Sequence, residues 1–309
     1  MQKYILRRLL FLIPVMFGVS LIVFMLMHLT PGDPVEIMLG DFAEPAQIEA
    51  MRASLGLDQP LHVQYFDFIT GALQGDFGRS LHYNAPVLSL IVSRAGYTAS
   101  LSLAGMFVSY IIAFPVGIIS AIKRNSILDD LGMVFALLGI SMPNFWLGIM
   151  LILIFPLTLG IFPATGVGTI WHLVLPAITL GTAGAALTTR LVRSSMLEVI
   201  NKEYIRTARS KGLRERTVMI KHALKNAMLP VLTIIGLRLG FILGGAVIVE
   251  EVFARPGMGR LMINSIFRRD YFVVQACVLL IAFTVMLANL LVDIAYGFID
   301  PQIKYGGGE

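Results

Sequence analysis

Charge is what this sequence has least of. Only 14% of its 309 residues are Asp, Glu, Lys or Arg, where a soluble domain carries about 25%. A surface wetted on every side cannot be built from that composition, so much of it must face hydrocarbon. Cysteine is nearly absent as well. Cys277 stands alone, which excludes an internal disulfide, and its apolar neighbours make it a small hydrophobe rather than a reactive thiol. Catalytic signatures are missing: there is no Gly-x4-Gly-Lys-Ser/Thr phosphate loop, no Gly-x-Ser-x-Gly elbow and no His-Glu-x-x-His pair. The histidines His28, His62, His82, His172 and His222 are scattered without metal-ligand spacing. These absences argue against an enzyme and against a metal or cofactor bound by this chain.

What the sequence has is apolar length. Apolar residues make up 57% of it, and six runs are long enough to cross a bilayer core, which takes about 20 residues. They are Leu9–Leu29, Ala99–Ile122, Leu131–Leu159, Trp171–Thr189, Met228–Val249 and Val273–Val292. The third contains Pro143 and Pro156, so it is expected to kink or to leave the membrane at its end. The first follows Lys3, Arg7 and Arg8, as a signal peptide would, but no small-x-small cleavage site follows it. It is read as a retained anchor.

Lys and Arg distribution orients the spans. Lys3, Arg7, Arg8, Lys123, Arg124, Lys304 and ten Lys or Arg between Arg190 and Lys225 share one side. Seven arginines (Arg52, Arg79, Arg94, Arg255, Arg260, Arg268 and Arg269) share the other. Both termini and the 190–227 segment are therefore expected in the cytoplasm. The expected organisation is a first span with its leader (1–29), an external region (30–94), a five-helix core (95–300) holding a cytoplasmic segment at 194–227, and a tail (301–309). The external region carries eight acids against three arginines, with turns expected at Pro31-Gly32-Asp33-Pro34 and Gly75-Asp76-Phe77-Gly78. Its apolar residues suggest a small folded cap.

Charge inside the spans is sparse. Arg238 lies deep in the fifth, and Glu250 and Asp293 lie near span ends. An ion-coupled carrier needs carboxylates near the midplane, and this chain is poor in them. Arg238 has two readings, a group on a transport path or subunit interface and a structural partner within the chain. Gly236, Gly240 and Gly244 repeat at four-residue spacing on the same span. That spacing suits a close helix–helix contact, either between subunits or within one.

The 203–230 segment is the most informative. Gly212 suits a positive-φ turn between two helices. Tyr204, Ala208 and Gly212 are spaced four apart, so they are expected to share a face on which the small Ala208 lets a partner approach. A docking platform and a plain positive-inside loop both fit these residues.

This segment resembles the cytoplasmic "EAA" loop of binding-protein-dependent ABC importer permeases, with Ala208 and Gly212 at the alanine and glycine positions. Arg206, Thr207 and Lys225 depart from the common pattern. Tyr204-x-Arg206-Thr207-Ala208-Arg209-x-Lys211-Gly212 is similar to the B-type permeases of dipeptide, oligopeptide, nickel and glutathione importers. The resemblance continues through Arg7-Arg8-Leu9-Leu10, Leu55-Gly56-Leu57-Asp58-Gln59-Pro60-Leu61, Ser141-Met142-Pro143-Asn144-Phe145-Trp146, Pro256-Gly257-Met258-Gly259-Arg260 and Arg269-Asp270-Tyr271. It implies an all-α, type I importer permease in a bacterial inner membrane. It implies a C-type permease partner, two ATPase subunits or domains carrying ATP and Mg, an external solute-binding protein, and no nucleic acid. It implies that Glu203, Tyr204, Arg206, Thr207, Ala208, Arg209, Lys211 and Gly212 couple to the ATPases. A nickel chelate is the alternative cargo, and an autonomous ion-coupled carrier the alternative mechanism.

Overall fold

The computed structural model describes residues 2–29, 32–40, 43–228, 231 and 239–299. Among them the regular structure is helical: α1 (Gln2–Leu29), α2 (Pro34–Leu39), α3 (Pro45–Ser54), α4 (Leu61–Gln74), α5 (Val87–Ile122), α6 (Ile127–Ser141), α7 (Asn144–Ile152), α8 (Trp171–Ile200), α9 (Glu203–Ser210), α10 (Leu239–Val252), α11 (Met258–Phe267) and α12 (Tyr271–Ile299). The one β-type pairing among these residues is an isolated bridge between Arg79 and Pro86. Helices dominate because hydrocarbon offers backbone groups no hydrogen bonds, and a helix satisfies them internally.

Of the six expected spans, four are single helices long and apolar enough to cross a membrane: α1, α5, α8 and α12. The third is different. Helices α6 and α7 meet at 103°, with Met142 and Pro143 extended between them. A residue before proline is pushed out of the helical region, so the break falls at Met142–Pro143. Pro156 does not end the run; it sits in a π-helical stretch, Leu153–Thr158. The fifth expected span crosses residues outside the described set, and its described part is α10.

The chain divides into two compact units. One comprises residues up to Thr98 with Pro256–Leu290, and the other Ala99–Arg255 with Leu291–Asp300. In the first, Val87, Ile91, Met258, Leu261, Val273, Ala276 and Cys277 form a buried cluster. Cys277 is fully buried, as its apolar setting implied. Asp270 is buried just ahead of α12, where its Oδ2 accepts from the Ser80 hydroxyl and the His82 N–H.

In this unit the described residues between α1 and α5 include the helices α2, α3 and α4. Asp33 caps α2 by accepting from the Val35 N–H at 2.8 Å, with Pro34 at the first helical position. It also pairs with Arg52 of α3. Burial alone raises the Asp33 carboxyl, but the Arg52 guanidinium and the Val35 N–H outweigh it and hold the group below the usual carboxylate range. Helix α4 packs on α1 through Phe24 against Tyr65, ring centroids 5.3 Å apart, and through the hydroxyls of Ser20 and Tyr65 at 2.8 Å.

In the second unit, α5 and α8 cross where neither has a side chain. A Cβ on Gly181 would lie 2.6 Å from the Gly105 carbonyl oxygen. Only hydrogen fits there, so the two backbones touch, the small-residue packing expected between helices in lipid.

Candidate functional site

The basic segment after α8 is built on a core of its own. Helix α9 is amphipathic: Ile205 and Ala208, three residues apart, are buried. They pack with Val192 and Met196 of α8 and with Val218, Met219 and Ala223. The last three come from a helical stretch that starts at Glu215–Thr217 and continues as a π-helix, Val218–Leu224. The opposite side of α9 displays Glu203, Tyr204, Arg206, Thr207 and Arg209 to solvent, and Lys211 and Gly212 follow them, also exposed.

Gly212 ends the helix as expected. Its φ is +75°. The Gly212 N–H donates to the Arg209 carbonyl at 2.9 Å and the Leu213 N–H to the Ala208 carbonyl at 3.4 Å. This is the Schellman arrangement, in which a left-handed glycine satisfies the last carbonyls of a helix. A Cβ on Gly212 would meet nothing within 4 Å, so the demand for glycine here is conformational, not steric. The turn is clasped by Arg209 and Glu215, with Nη2–Oε1 at 2.8 Å and Nε–Oε2 at 3.2 Å. The pairing raises the Arg209 guanidinium and lowers the Glu215 carboxyl, in both cases chiefly through this hydrogen bond. Both groups are well exposed, so the clasp orients the turn more than it stabilises it.

One expectation needs correcting. Tyr204 and Gly212 are exposed, but Ala208 is turned into the chain's own core. Its small size is used internally, under Val218 and Met219. The face open to a partner is Tyr204, Arg206, Thr207 and Lys211.

Gly236 and Arg238 lie outside the described residues. Gly240 lies in α10, and at Gly244 on the same helix a Cβ would meet nothing within 4 Å. The tight position is Gly245, where a Cβ would lie 3.1 Å from Leu180 Cδ1.

A second feature near α9 had no local signal. Arg193 on α8 holds Asp129 on α6 with two bonds of 2.7 Å each, from Nε and Nη2. Asp129 also accepts from the Asn125 N–H at 3.1 Å. The carboxylate side chain is 3% exposed and the guanidinium 25%. The pair ties α8 to the start of α6, two turns before α8 runs into α9.

Residues 113–305 match the family described as the inner membrane component of binding-protein-dependent transport systems. Residues 1–102 match the N-terminal region of the same membrane component. The chain belongs to this family of ABC importer permeases. The permease is 46% identical over 305 residues to the glutathione transport system permease protein GsiC of Salmonella typhimurium, covering 99% of this chain and 100% of that one. The protein of that name from Escherichia coli K12 is 45% identical over the same length. Among solved structures, the permease resembles the inward-facing MetNI methionine ABC transporter, with TM-score 0.56, 18% identity and coverage of 69% of this chain and 97% of that one. An amino acid ABC transporter gives TM-score 0.52 at 15% identity, over 69% and 94%. At these identities the two structures show the shared fold alone. The chain is thus a multi-pass permease subunit of an ATP-driven importer.

Proposed function

We propose that the permease imports short peptides, glutathione among them, together with a second, C-type permease, and that α9 docks it onto ATPase subunits that bind and hydrolyse Mg-ATP. The supporting observation is the build of α9. Its apolar side is anchored in the chain, its end is fixed by the Gly212 turn and the Arg209–Glu215 clasp, and Tyr204, Arg206, Thr207 and Lys211 stand free on one surface. A helix that transmits a push must be held rigidly on one side and open on the other. The full-length relatives named for glutathione transport support a peptide-type cargo. A solute-binding protein delivers it from outside, and both termini and α9 lie in the cytoplasm of a bacterial cell.

Reconstitution tests the division of labour. Proteoliposomes holding both permeases, the ATPases and the binding protein are expected to take up a labelled peptide only with ATP, and the chain alone not at all. Uptake by the chain alone in an ion gradient would overturn this reading. Uptake of nickel–histidine in place of peptide or glutathione would change the cargo class.

Topology is tested by labelling. Ser54 and Ser210 are both exposed, whereas the native Cys277 is buried. Single cysteines at 54 and 210, probed in intact cells with an impermeant maleimide, are expected to react at 54 and not at 210. The reverse pattern would invert the assignment.

A further inference from the structure

The unit formed by residues up to Thr98 and Pro256–Leu290 contains a cavity of about 740 Å³. That size lies within the roughly 300–1,000 Å³ of small-molecule sites. Its walls include the rings of Phe24, Phe68, Phe77 and Phe272. Several of its polar groups are already engaged. Arg52 is paired with Asp33. His28 Nε2 meets Gln64 Oε1 at 3.1 Å, and the Gln64 amide nitrogen donates to the Leu57 and Gln59 carbonyls.

Three lining groups are not engaged in this way. Gln275 on α12 is 8% exposed, and its side-chain amide has no hydrogen-bond partner among the described residues although it lines the cavity. The little of this side chain that is exposed opens on the cavity, so its amide is available to a ligand that both accepts and donates. Asp67 has no ion-pair partner among the described residues. Asp76 has none either; its one side-chain bond is from the Gly78 N–H at 2.8 Å. Two carboxylates without a cation favour a cationic ligand, and aromatic walls favour one further.

We infer that this cavity binds a short peptide by its free amino terminus, with the ammonium group between Asp67 and Asp76 and a peptide amide against Gln275. An amide side chain matches a peptide bond in having one acceptor and one donor face. The same carboxylates disfavour peptides of net negative charge, so a neutral peptide binds here more tightly than glutathione. The inference rests on the peptide-importer reading and assigns that cargo a contact of its own on this chain.

The test uses the assembled permease–ATPase complex in phosphatidylcholine nanodiscs, without binding protein, titrated calorimetrically with trialanine, N-acetyl-trialanine and glutathione. Trialanine is expected to bind at least about tenfold more tightly than either of the others. Asp67→Asn with Asp76→Asn is expected to erase that advantage. Because both residues are exposed, the variant folds. Gln275→Leu is expected to weaken trialanine and N-acetyl-trialanine alike. Absence of trialanine binding, or binding indifferent to acetylation or to the double variant, would overturn the inference. So would retention of phosphatidylethanolamine by the wild type and not by the double variant, seen by native mass spectrometry, which would assign the ammonium to a lipid headgroup. ATP-driven peptide uptake is measured in parallel with binding protein present. Loss of uptake for every peptide sinks the functional reading, whereas normal uptake without cavity binding sinks this inference alone.

Discussion

Ala208→Trp is expected to deplete the permease from the membrane, while Tyr204→Ala with Thr207→Ala leaves it abundant but detached from its ATPases. Ala208 is 7% exposed and sits in the cluster with Ile205, Val218, Met219 and Ala223. Overpacking a close-fitted core costs about 1–3 kcal/mol for small additions, and an indole in place of a methyl is at the high end or beyond. A loss of even 1–2 kcal/mol can change cellular abundance several-fold. Tyr204 is 42% exposed, and Thr207 contributes only a bond to the Glu203 carbonyl at 3.1 Å. Truncating them disturbs little within the chain. Co-purification of the ATPases is expected to fall at least about tenfold in the double variant, equivalent to about 1.4 kcal/mol, at normal membrane abundance. Immunoblots of membranes and of affinity eluates read both quantities. Normal abundance of Ala208→Trp with loss of the ATPases would mean that Ala208 itself is the contact. Normal association of the double variant would move the docking surface elsewhere.

Arg193→Ala is expected to destabilise the permease more than Asp129→Ala does. Removing one member of a buried ion pair strands the other, at a cost of about 3–5 kcal/mol when the survivor cannot reach water. Without Arg193, Asp129 is left with the Asn125 N–H in a site that exposes 3% of its side chain. Without Asp129, Arg193 still has a quarter of its side chain in solvent and a long stem with which to reach more. The Arg193 variant is therefore expected to lose about 3 kcal/mol, and the Asp129 variant less. The double Asp129→Ala/Arg193→Ala variant is expected to fall nearer the Asp129 variant, because no charge is left behind. Thermal unfolding of the purified complex in detergent, followed by intrinsic fluorescence, gives the order. Equal destabilisation by the two single variants would show that Asp129 finds another partner.

The parts of the fold legible in the sequence are those governed by local rules. Apolar runs of sufficient length became α1, α5, α8 and α12, Asp33-Pro34 adopted the capping geometry that those side chains favour, and Gly212 the left-handed turn that the lack of a Cβ permits. Pro143 was legible as a breaker, but the 103° angle was not, since it depends on how α6 and α7 each pack on α8. The shared face of Tyr204, Ala208 and Gly212 was misread for a specific reason. Tyr204 lies about 40° from Ala208 on the side away from Ile205, just past the edge of the buried stripe, and Gly212 falls beyond the end of α9 at Ser210. Which side then turns inward is decided by Ile205 and by Val218, Met219 and Ala223, beyond the turn. The Asp129–Arg193 pair joins positions 64 residues apart, and the vacant amide of Gln275 is set by helices from both ends of its unit. No window along the chain contains either.

Between Ile200 of α8 and Glu203 of α9 there are only Asn201 and Lys202, and both are bonded into the join. The Lys202 N–H donates to the Val199 carbonyl at 3.0 Å, and the Ile205 N–H donates to the Lys202 carbonyl at 3.0 Å. A tether this short has no slack, so α9 and α8 are geared like a crank and its shaft. Helix α8 has 30 residues, about 45 Å at 1.5 Å per residue. Tilting α8 by about 5° about its crossing at Gly181, about 28 Å from Ile200, carries that end through about 2.5 Å, nearly half of one 5.4 Å helical turn. The Gly105–Gly181 contact fixes where α8 bears on α5, so any displacement of α9 would be returned as rotation about that crossing, with α5 as the bearing.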